Sequence, residues 1–421
     1  MFLFDIARKM LDFFVISKKK SRAKEYSVEL DGVAAEVIEI ISTLKANKFE
    51  AYIVGGGVRD LLLGFKPKDF DIVTNAKPEQ IRRLFKYSMI IGKRFRLVHV
   101  RYGRGKDDFI EVATYRSNKR FNFCYWKKHK QNNYYGDVFS DAKRRDFTLN
   151  ALLYDVNRKT VIDYVGGYEH LKDKIIHIIG EPWVRFKDDP VRILRAVRFA
   201  AKLNFKLSQD VEQVIIEKSK VLIKANVDRM YLEVIKLFYS GHAVASWQLL
   251  KKYNLLQYIF PDLAKLLVNQ HAARDVEKLF NQVFIQSDKR FVAGYNLSNA
   301  FLFAVMYWPL WQQVKKKIKS RRKIILRKQM QNVLYESRSH IAISNRLCEA
   351  IIFIWELQGF LHKSSHSKLA FNFIDHARFR AALDFFVLRA KAGNASSDKA
   401  NWWLEFSLAD DEKRKSMVLS V

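Results

Sequence analysis

Two short stretches decide the fold of this chain: Ile53–Asp60, which reads IVGGGVRD, and Lys68–Val73, which reads KDFDIV. In the first stretch an apolar strand runs into three glycines and then into a helix. Glycine lets a backbone approach a ligand closely, and a helix N-terminus offers unpaired N–H groups to phosphate. We therefore predict a phosphate-binding turn made by Gly55, Gly56 and Arg59. A tight turn without a ligand is the alternative.

The second stretch carries two aspartates two positions apart. Residues i and i+2 of a strand point to one face, so Asp69 and Asp71 should project together while Phe70 faces the core. Neighbouring carboxylates repel each other unless a cation lies between them. Because Mg²⁺ prefers oxygen ligands and phosphates, the pair predicts a Mg²⁺ site beside the glycine turn. Two solvated aspartates at the start of a strand are the alternative.

A site for two metal ions usually needs a third carboxylate, and the sequence leaves two candidates. Glu111 lies in the alternating strand Phe109–Ala113 and should face away from its apolar neighbours. Asp141 lies in the loop that precedes two arginines. The choice between them stays open at this point, as does a plain surface position for Glu111.

The composition restricts which binding partners and which cellular compartment we expect. The 421 residues include 75 lysines and arginines against 44 acids, a net charge of +31, which predicts a polyanionic partner such as nucleic acid or an anionic membrane surface. A hydrophobic content of 49% excludes wholesale disorder. Two cysteines, Cys124 and Cys348, exclude a disulfide framework and favour a reducing compartment, so we expect a cytoplasmic protein.

The first residues raise the question of a membrane. No apolar run reaches the roughly 18 residues that a membrane span requires. Met1–Ile16 instead resembles an amphipathic helix interrupted by charges. It is expected to pack on its own protein, and peripheral contact with a membrane is the alternative.

Glycine is distributed unevenly along the chain. Twelve of the 16 glycines fall within the first 180 residues, which predicts a turn-rich front part made of strands and helices. The rear part has few breakers and long helical periods, which predicts all-helical structure. Within the front part we expect one helix over Val28–Asn47 and a hairpin formed by Phe95–Tyr102 and Asp108–Thr114.

Five motifs, in this order and spacing, resemble the class II nucleotidyltransferase superfamily, which holds bacterial poly(A) polymerases and CCA-adding enzymes. They are Gly55–Asp60, Asp69–Asp71, Arg144–Asn150, Asp163–Gly167 and Asp188–Phe199. Four further segments are similar to the poly(A) polymerase branch: Ile90–Val100, Trp355–Gln358, Arg378–Asp384 and Trp402–Phe406.

Two departures from the family pattern stand out. The stretch before Arg144 usually carries consecutive acids and here retains only Asp141 close by, while a usual glutamate is replaced by Asp188.

The resemblance implies an α+β fold in which a small mixed-sheet nucleotidyltransferase head is followed by all-α neck and tail domains. The expected domains are an N-terminal extension (1–27), the catalytic head (28–166), a helical neck that binds the nucleotide base and RNA (167–260), and a helical RNA-binding body and tail (261–421).

The resemblance also implies an activity: template-independent transfer of AMP from ATP to RNA 3′ ends, in polyadenylation and RNA turnover. Asp69 and Asp71 would hold two Mg²⁺ ions. Nucleotide binding would involve Arg145, Asp146 and Asn150, and the alternative role of Asp146 is a helix cap. Asp189 and Arg192 lie three residues apart on one helix face and would read the base. Arg195 would reach either a phosphate or a structural carboxylate.

RNA contacts are expected from basic residues in three segments. They are Lys93, Arg94 and Arg96; Lys127 and Lys128, within a loop that mixes cations with aromatic rings; and Lys315, Lys316, Arg321 and Arg322. Proteins of RNA decay are further expected partners. The competing hypotheses are a CCA-adding tRNA nucleotidyltransferase and a non-catalytic RNA-binding protein on the same fold, against which the intact aspartate pair argues.

Overall fold

The structure is a computed structural model that describes residues 22–93, 96–103, 105, 108–117, 135–295, 298–319, 322–363 and 368–419. Several predicted features lie outside these residues: the amphipathic segment Met1–Ile16, most of the mixed basic and aromatic loop, and Arg94, Lys127, Lys128 and Arg321. Among the helices that are described, none is both long and apolar enough to cross a membrane.

The chain divides into two compact units. The first contains Met1–Arg185 together with Lys206–Val211, and the second contains Phe186–Phe205 together with Glu212–Val421. Each unit is described by itself below.

An eight-stranded sheet forms the centre of the first unit. Its strands, in chain order, are β1 (Lys24–Ser27), β2 (Ala51–Val54), β3 (Asp71–Thr74), β4 (Ser88–Ile91), β5 (Leu97–Arg101), β6 (Phe109–Thr114), β7 (Leu153–Asp155) and β8 (Thr160–Asp163). The spatial order is β1-β8-β7-β2-β3-β6-β5-β4. Only β3 and β6 run parallel within this sheet. A separate pair, β9 (Ile175–Ile176) and β10 (Lys206–Leu207), is also parallel.

Short helices accompany the sheet. They are Ala35–Ala46, Gly56–Leu62, Pro78–Leu84, Val138–Arg144 and Gly167–Lys172, with a 3₁₀ turn at Thr148–Asn150. The first of them buries Val37, Ile40, Ile41 and Leu44 at helical spacing, and it packs on β2 and β3. The central strands are correspondingly apolar, since Ile53 and Ile72 have no exposed surface.

The second unit is helical throughout its described part. Its helices are Val191–Leu203, Val227–Phe238, Ala243–Lys252, Leu256–Ile259, Pro261–Leu267, Gln270–Val292, Asn299–Lys317, Lys323–Glu336, Asn345–Lys363, Phe371–Ile374, Phe379–Lys391, Ser397–Leu408 and Asp411–Leu419, and 3₁₀ turns cover Ser219–Lys224, Ser337–Ser339 and Lys368–Ala370. The helices Pro182–Asp188 and Gln209–Lys218 each continue from the first unit into the second. Trp247, Trp311, Trp355 and Trp403 are among its largest buried side chains.

The expected fold class is confirmed, because a mixed sheet precedes an all-helical region. The predicted hairpin is confirmed as the antiparallel pair β5 and β6. The single helix expected over Val28–Asn47 is wrong at its start: the helix begins only at Ala35, after a turn in which Gly32 has a φ of +85°. The sequence analysis also missed the edge strands β1 and β4, because short, half-exposed strands carry little periodic signal.

Gly167 provides a stability test of the first unit. A Cβ at this position would lie 2.2 Å from the backbone oxygen of Thr148, whereas a Cβ at Gly359 would meet nothing within 4 Å. We expect Gly167→Ala to destabilise its unit by about 2 kcal/mol or more, because backbone must move. Gly359→Ala, in a helix, should stabilise its unit by up to about 1 kcal/mol. Hydrogen exchange read unit by unit measures both, and equal effects would contradict the predicted contact.

Candidate active site

The parallel pairing of β3 and β6 brings two predicted site residues together. The register sets Asp71 directly opposite Glu111, with Ile72 opposite Val112 beside them. Directly opposed residues of neighbouring strands point to the same face, so the two carboxylates are neighbours. Asp69 lies two residues before β3 begins at Asp71, so the strand predicted over Lys68–Val73 is wrong at its start and the shared strand face of Asp69 and Asp71 stays a prediction.

The charges of these acids act on one another. Partial burial and the negative charges of Glu111 and Asp69 raise the pKa of Asp71 to about 6, while the Arg145 guanidinium opposes the rise. A site with this much self-repulsion favours a cation. Within the part of the chain that the structure describes, no group of three or more His, Cys, Asp or Glu side chains could hold a metal by itself. Mg²⁺, however, is commonly held by one or two carboxylates together with substrate phosphates.

The glycine turn brings a cation and an acid to the same place. Gly55 has a φ of +79°, and a Cβ on it would lie 3.5 Å from Arg145 Nη1 and 3.9 Å from Asp71 Oδ2. Glycine adopts this conformation without the strain of other residues. A Cβ on Gly57 would lie 3.1 Å from the Phe70 ring, so the helix that starts at Gly56 packs closely on the residue between the two aspartates.

Asp141 orients the arginine of the site. Its Oδ2 accepts hydrogen bonds from Arg145 Nη2 at 3.0 Å and Nε at 3.2 Å. Its Oδ1 accepts from the Arg116 backbone N–H and from Arg144 Nε, both at 3.1 Å. Asp141 is only 4% exposed. These bonds occupy both carboxylate oxygens, so the geometry favours Glu111 over Asp141 as the third carboxylate and makes Asp141 a positioning residue.

A second buried network supports the turn from behind. Arg59 is 4% exposed and donates to Asn150 Oδ1 at 2.7 Å and to Asp60 Oδ1 at 2.8 Å. Asn150 donates to Asp146 Oδ1 at 3.3 Å, and the backbone oxygen of Asn150 accepts from Arg145. Because Arg59 is buried, its expected contact with a phosphate is not favoured. Arg59 instead connects the helix that starts at Gly56 to the Thr148–Asn150 turn. The alternative role of Asp146 as a helix cap is wrong: Phe147 occupies the cap position of the Thr148–Asn150 turn and no side chain caps it, although the Phe147 N–H donates to Asp146 Oδ1.

Arg185 also belongs to this network, and the sequence analysis missed it. It donates from Nη2 to the backbone oxygens of Arg144 and Arg145. A backbone contact across 40 residues leaves no pattern in a single sequence.

The second unit contains the expected pair Asp189 and Arg192. Arg192 Nε lies 3.8 Å from Asp189 Oδ2. A third residue, Arg229, makes the stronger contact: its Nη1 and Nη2 each donate to one Asp189 oxygen at 2.8 Å. This fork-to-fork geometry occupies both oxygens of Asp189. No sequence signal links two residues that lie 40 positions apart, and Arg229 was missed.

Arg195 contacts the structural carboxylate that was one of its two expected partners. Its Nη1 lies 3.4 Å from Glu233 Oε1, and Arg198 Nε donates to Glu233 Oε2 at 2.9 Å. Glu233 is 4% exposed, so the helices Val191–Leu203 and Val227–Phe238 are joined by a buried ion-pair cluster. Partners in such clusters are strongly dependent on one another.

The predicted RNA-binding residues within the described range lie at the surface. Lys93, Lys316 and Arg322 are exposed, and Lys315 and Lys316 lie in the last turn of Asn299–Lys317. Arg96 pairs with Glu79. Their contact with RNA stays a prediction.

Three family profiles match the chain. They are the "Poly A polymerase head domain" at residues 51–177, the "Probable RNA and SrmB- binding site of polymerase A" at residues 204–267, and the "Polymerase A arginine-rich C-terminus" at residues 320–421. The first covers the glycine turn, the acids Asp69, Asp71 and Glu111, and the pair of Asp141 and Arg145.

Known proteins agree with these profiles. Poly(A) polymerase I of Salmonella typhi is 36% identical over 409 residues, which cover 94% of this chain and 87% of that protein. The CCA-adding enzyme of Geobacillus stearothermophilus is 36% identical over 229 residues, covering 54% of this chain and 55% of that enzyme. A crystal structure of the Bacillus stearothermophilus CCA-adding enzyme in complex with CTP matches with a TM-score of 0.58 at 24% identity, over 91% of this chain and 82% of that one.

The fold and the head-domain match are those of a nucleotidyltransferase. The chain belongs to the bacterial poly(A) polymerase family of the class II nucleotidyltransferases, as the sequence motifs predicted.

Asp71 makes the stability of the metal-free protein depend on pH. Its pKa is raised from 3.8 to about 6 in the folded state, so protonation favours folding, and this contribution is lost as the pH rises from about 4 through 6. Asp71→Asn removes the charge, and we expect it to raise the melting temperature slightly at pH 7, because Asp71 retains exposed surface and solvent screens part of the repulsion. The difference in melting temperature between Asp71→Asn and the wild type should become smaller as the pH falls to 4. Scanning calorimetry in EDTA measures it.

Glu111→Gln provides the matched comparison. Removing the Glu111 charge should lower the pKa of Asp71, which carboxyl ¹³C chemical shifts report directly. A stabilisation by Asp71→Asn of the same size at every pH would contradict the proposed repulsion.

Proposed function

We propose that this protein transfers AMP from ATP to the 3′ end of RNA without a template, in polyadenylation and RNA turnover. The observation that carries the proposal is the meeting of Asp71 with Glu111, Asp69, Arg145 and the turn at Gly55. Similarity along 94% of the chain to a poly(A) polymerase I, against about half for a CCA-adding enzyme, supports this branch.

The donor set fits Mg²⁺. Asp69 and Asp71 offer hard oxygen ligands, and the raised pKa of Asp71 marks a place where a cation relieves repulsion. Glu111 is the candidate for the third carboxylate. When bound, Mg²⁺ supplies charge neutralisation at the triphosphate and a lower pKa for the attacking RNA 3′-hydroxyl, with two ions in the proposed arrangement.

Residues of this chain position the phosphates of the nucleotide. Gly55 has no side chain, so the space beside Arg145 and Asp71 stays accessible to a phosphate. Arg145, held in place by Asp141, puts a fixed cation where negative charge accumulates during transfer. Phosphoryl-type transfer needs little covalent participation by the protein, so alignment and charge account for most of the rate.

Arg229 supports the residue pair that we expect to read the incoming base. Its two bonds to Asp189 fix that carboxylate, which also lies 3.8 Å from Arg192 Nε. Adenine and cytosine both carry an exocyclic amine that donates to a carboxylate and a ring nitrogen that accepts from a guanidinium, so this pair fits a base edge without choosing between ATP and CTP by itself. We therefore assign base contact to Asp189 and Arg192, with Arg229 as their positioning residue.

The two alternative functions, a CCA-adding enzyme and a non-catalytic RNA-binding protein, require different properties of the site. A CCA-adding enzyme must accept CTP as well as ATP, and the similarity to such an enzyme covers only 54% of this chain. A non-catalytic RNA-binding protein gains nothing from a cluster of acids that repel one another. Peripheral membrane contact and RNA-decay partners stay predictions.

Nucleotide incorporation by the purified protein with Mg²⁺ tests the activity. Long A-tails on an oligo(A) primer, with little use of CTP, are the expected result. Asp69→Ala and Asp71→Ala should each lower incorporation about 100-fold or more, the order seen when a charge-stabilising group is removed. Asp31→Ala, at an exposed position, is the control and should leave the rate unchanged.

Two other outcomes would decide against the proposal. Addition of only C, C and A to a tRNA that lacks its 3′ end would support the CCA-adding alternative. RNA binding without incorporation on either primer would support the non-catalytic one.

Arg229→Ala tests the positioning of Asp189 separately. The Arg229 side chain is 52% exposed, so the substitution should leave the unit folded. Without the two Arg229 bonds the Asp189 carboxylate is no longer fixed, so the KM for ATP should rise about tenfold while kcat changes little. Lys224→Ala, an exposed cation nearby in sequence, is the control. An unchanged KM for ATP would remove Arg229 from the positioning of the base-reading pair.

A further inference from the structure

Basic side chains gather at the ends of four packed helices in the second unit. We name them the cation cluster: Lys315 in the last turn of Asn299–Lys317, His362 and Lys363 in the last turn of Asn345–Lys363, Arg389 in the last turn of Phe379–Lys391, and Lys399 in the first turn of Ser397–Leu408.

Arg389 is the fixed centre of the cation cluster. Its guanidinium lies 4.5 Å from the centre of the Trp308 ring, and it donates to Gln358 Oε1 at 3.1 Å and to the Asn394 backbone oxygen at 2.9 Å. Its Nε is buried and has no hydrogen-bond partner among the described residues. Burial lowers the pKa of Arg389 to about 10, and no described carboxylate acts on it.

The neighbours of Arg389 add only positive charge. Burial and the charges of Arg389 and Lys363 lower the pKa of Lys315. Burial and the charges of Lys399, Arg389, Lys315 and Lys363 lower the pKa of His362. Like charges held this close destabilise a fold unless an anion offsets them.

Three other partly buried arginines of the same unit pair with acids. Arg195 and Arg198 share Glu233, and Arg290 donates to Asp384 at 2.7 Å. In the cation cluster, by contrast, the charges that act on Lys315 and His362 are all positive.

Helix capping explains only part of the cation cluster. Cations near a helix C-terminus interact with its last carbonyls, and Lys399 donates to the His362 backbone oxygen. Lys315 and Lys363 are exposed and make no hydrogen bond or ion pair with any described residue. Two exposed lysines, one of which interacts with the charge of a partly buried guanidinium, are suited to an external anion.

We propose that Lys315, Lys363, Lys399 and Arg389 bind a backbone phosphate of the RNA strand, at a site built by the second unit alone. RNA is favoured over a small anion because Lys315 begins a basic run that continues through Lys316, Lys317 and Lys319, so that phosphates can be contacted in succession. The identity of the strand rests on the proposed function, whereas the phosphate site does not.

The double variant Lys315→Gln/Lys363→Gln tests the site, because both side chains are exposed. Binding of oligo(A) to the full chain is measured by fluorescence anisotropy over a series of salt concentrations. We expect weaker binding and a slope of log K against log[salt] that is shallower by about 0.7 for each phosphate that the variant no longer neutralises. Lys278→Gln/Lys289→Gln makes the same change in charge at exposed positions of the same unit and should leave the slope nearly unchanged.

Three outcomes would overturn the proposal. Equal losses of affinity in the two double variants would indicate net charge alone. A lower melting temperature of Lys315→Gln/Lys363→Gln with unchanged RNA affinity would indicate a purely structural role. Inorganic phosphate that raises the melting temperature of the wild type but not of this variant, with equal oligo(A) binding, would indicate a small-anion site.

Incorporation assays separate this inference from the activity. At saturating primer, Lys315→Gln/Lys363→Gln should keep the wild-type kcat with ATP, while its KM for the primer rises. If the wild type incorporates no nucleotide, the proposed function fails, and the comparison of RNA affinities still decides the phosphate site. A primer KM equal to that of the wild type would count against the site.

Discussion

The parallel contact between β3 and β6 is the constraint on which the candidate active site depends. It sets Asp71 opposite Glu111, residues 40 positions apart that share no local pattern. The antiparallel contact of β2 with β3 then brings the strand before the glycine turn alongside the aspartates. A slip of one residue in either register would turn a carboxylate to the other face of the sheet. The apolar residues Ile72, Val73 and Val112 are buried and hold the register in place.

Charge is handled in two different ways in this protein. Where an arginine only has to be positioned, it forms an ion pair with a buried acid: Asp141 fixes Arg145, and Glu233 joins Arg195 and Arg198. At Asp71 the acids are opposed only in part by Arg145, and at Arg389 no described carboxylate opposes the charge, so charge of one sign is in excess at both places, which costs stability. Uncompensated charge of this kind is typical of places where a ligand completes the site. The two places have opposite sign, as expected for a metal ion and for a phosphate.

The sequence analysis succeeded where the signal is local. The glycine turn, the aspartate pair, the β5 and β6 hairpin and the helical rear part follow from residue type and spacing. It failed where structure depends on distant partners. The short edge strands β1 and β4 form through pairing with other strands. The burial of Arg59, and the engagement of Asp141 with Arg145, could not be foreseen because each depends on which carboxylate or amide the fold brings within reach.

Local pattern was therefore enough for the class of enzyme, for the metal-binding aspartates as a hypothesis, and for a mixed sheet followed by a helical region, since motif spacing and periodicity are properties of the chain itself. The tertiary structure alone decided that Glu111 rather than Asp141 stands beside Asp71, that Arg229 occupies Asp189, and that the charges of Lys363 and Arg389 act on Lys315. Hydrogen bonds and charge interactions act over a few ångströms in space. Residues that are far apart in the sequence enter that range only when the strands and helices have packed.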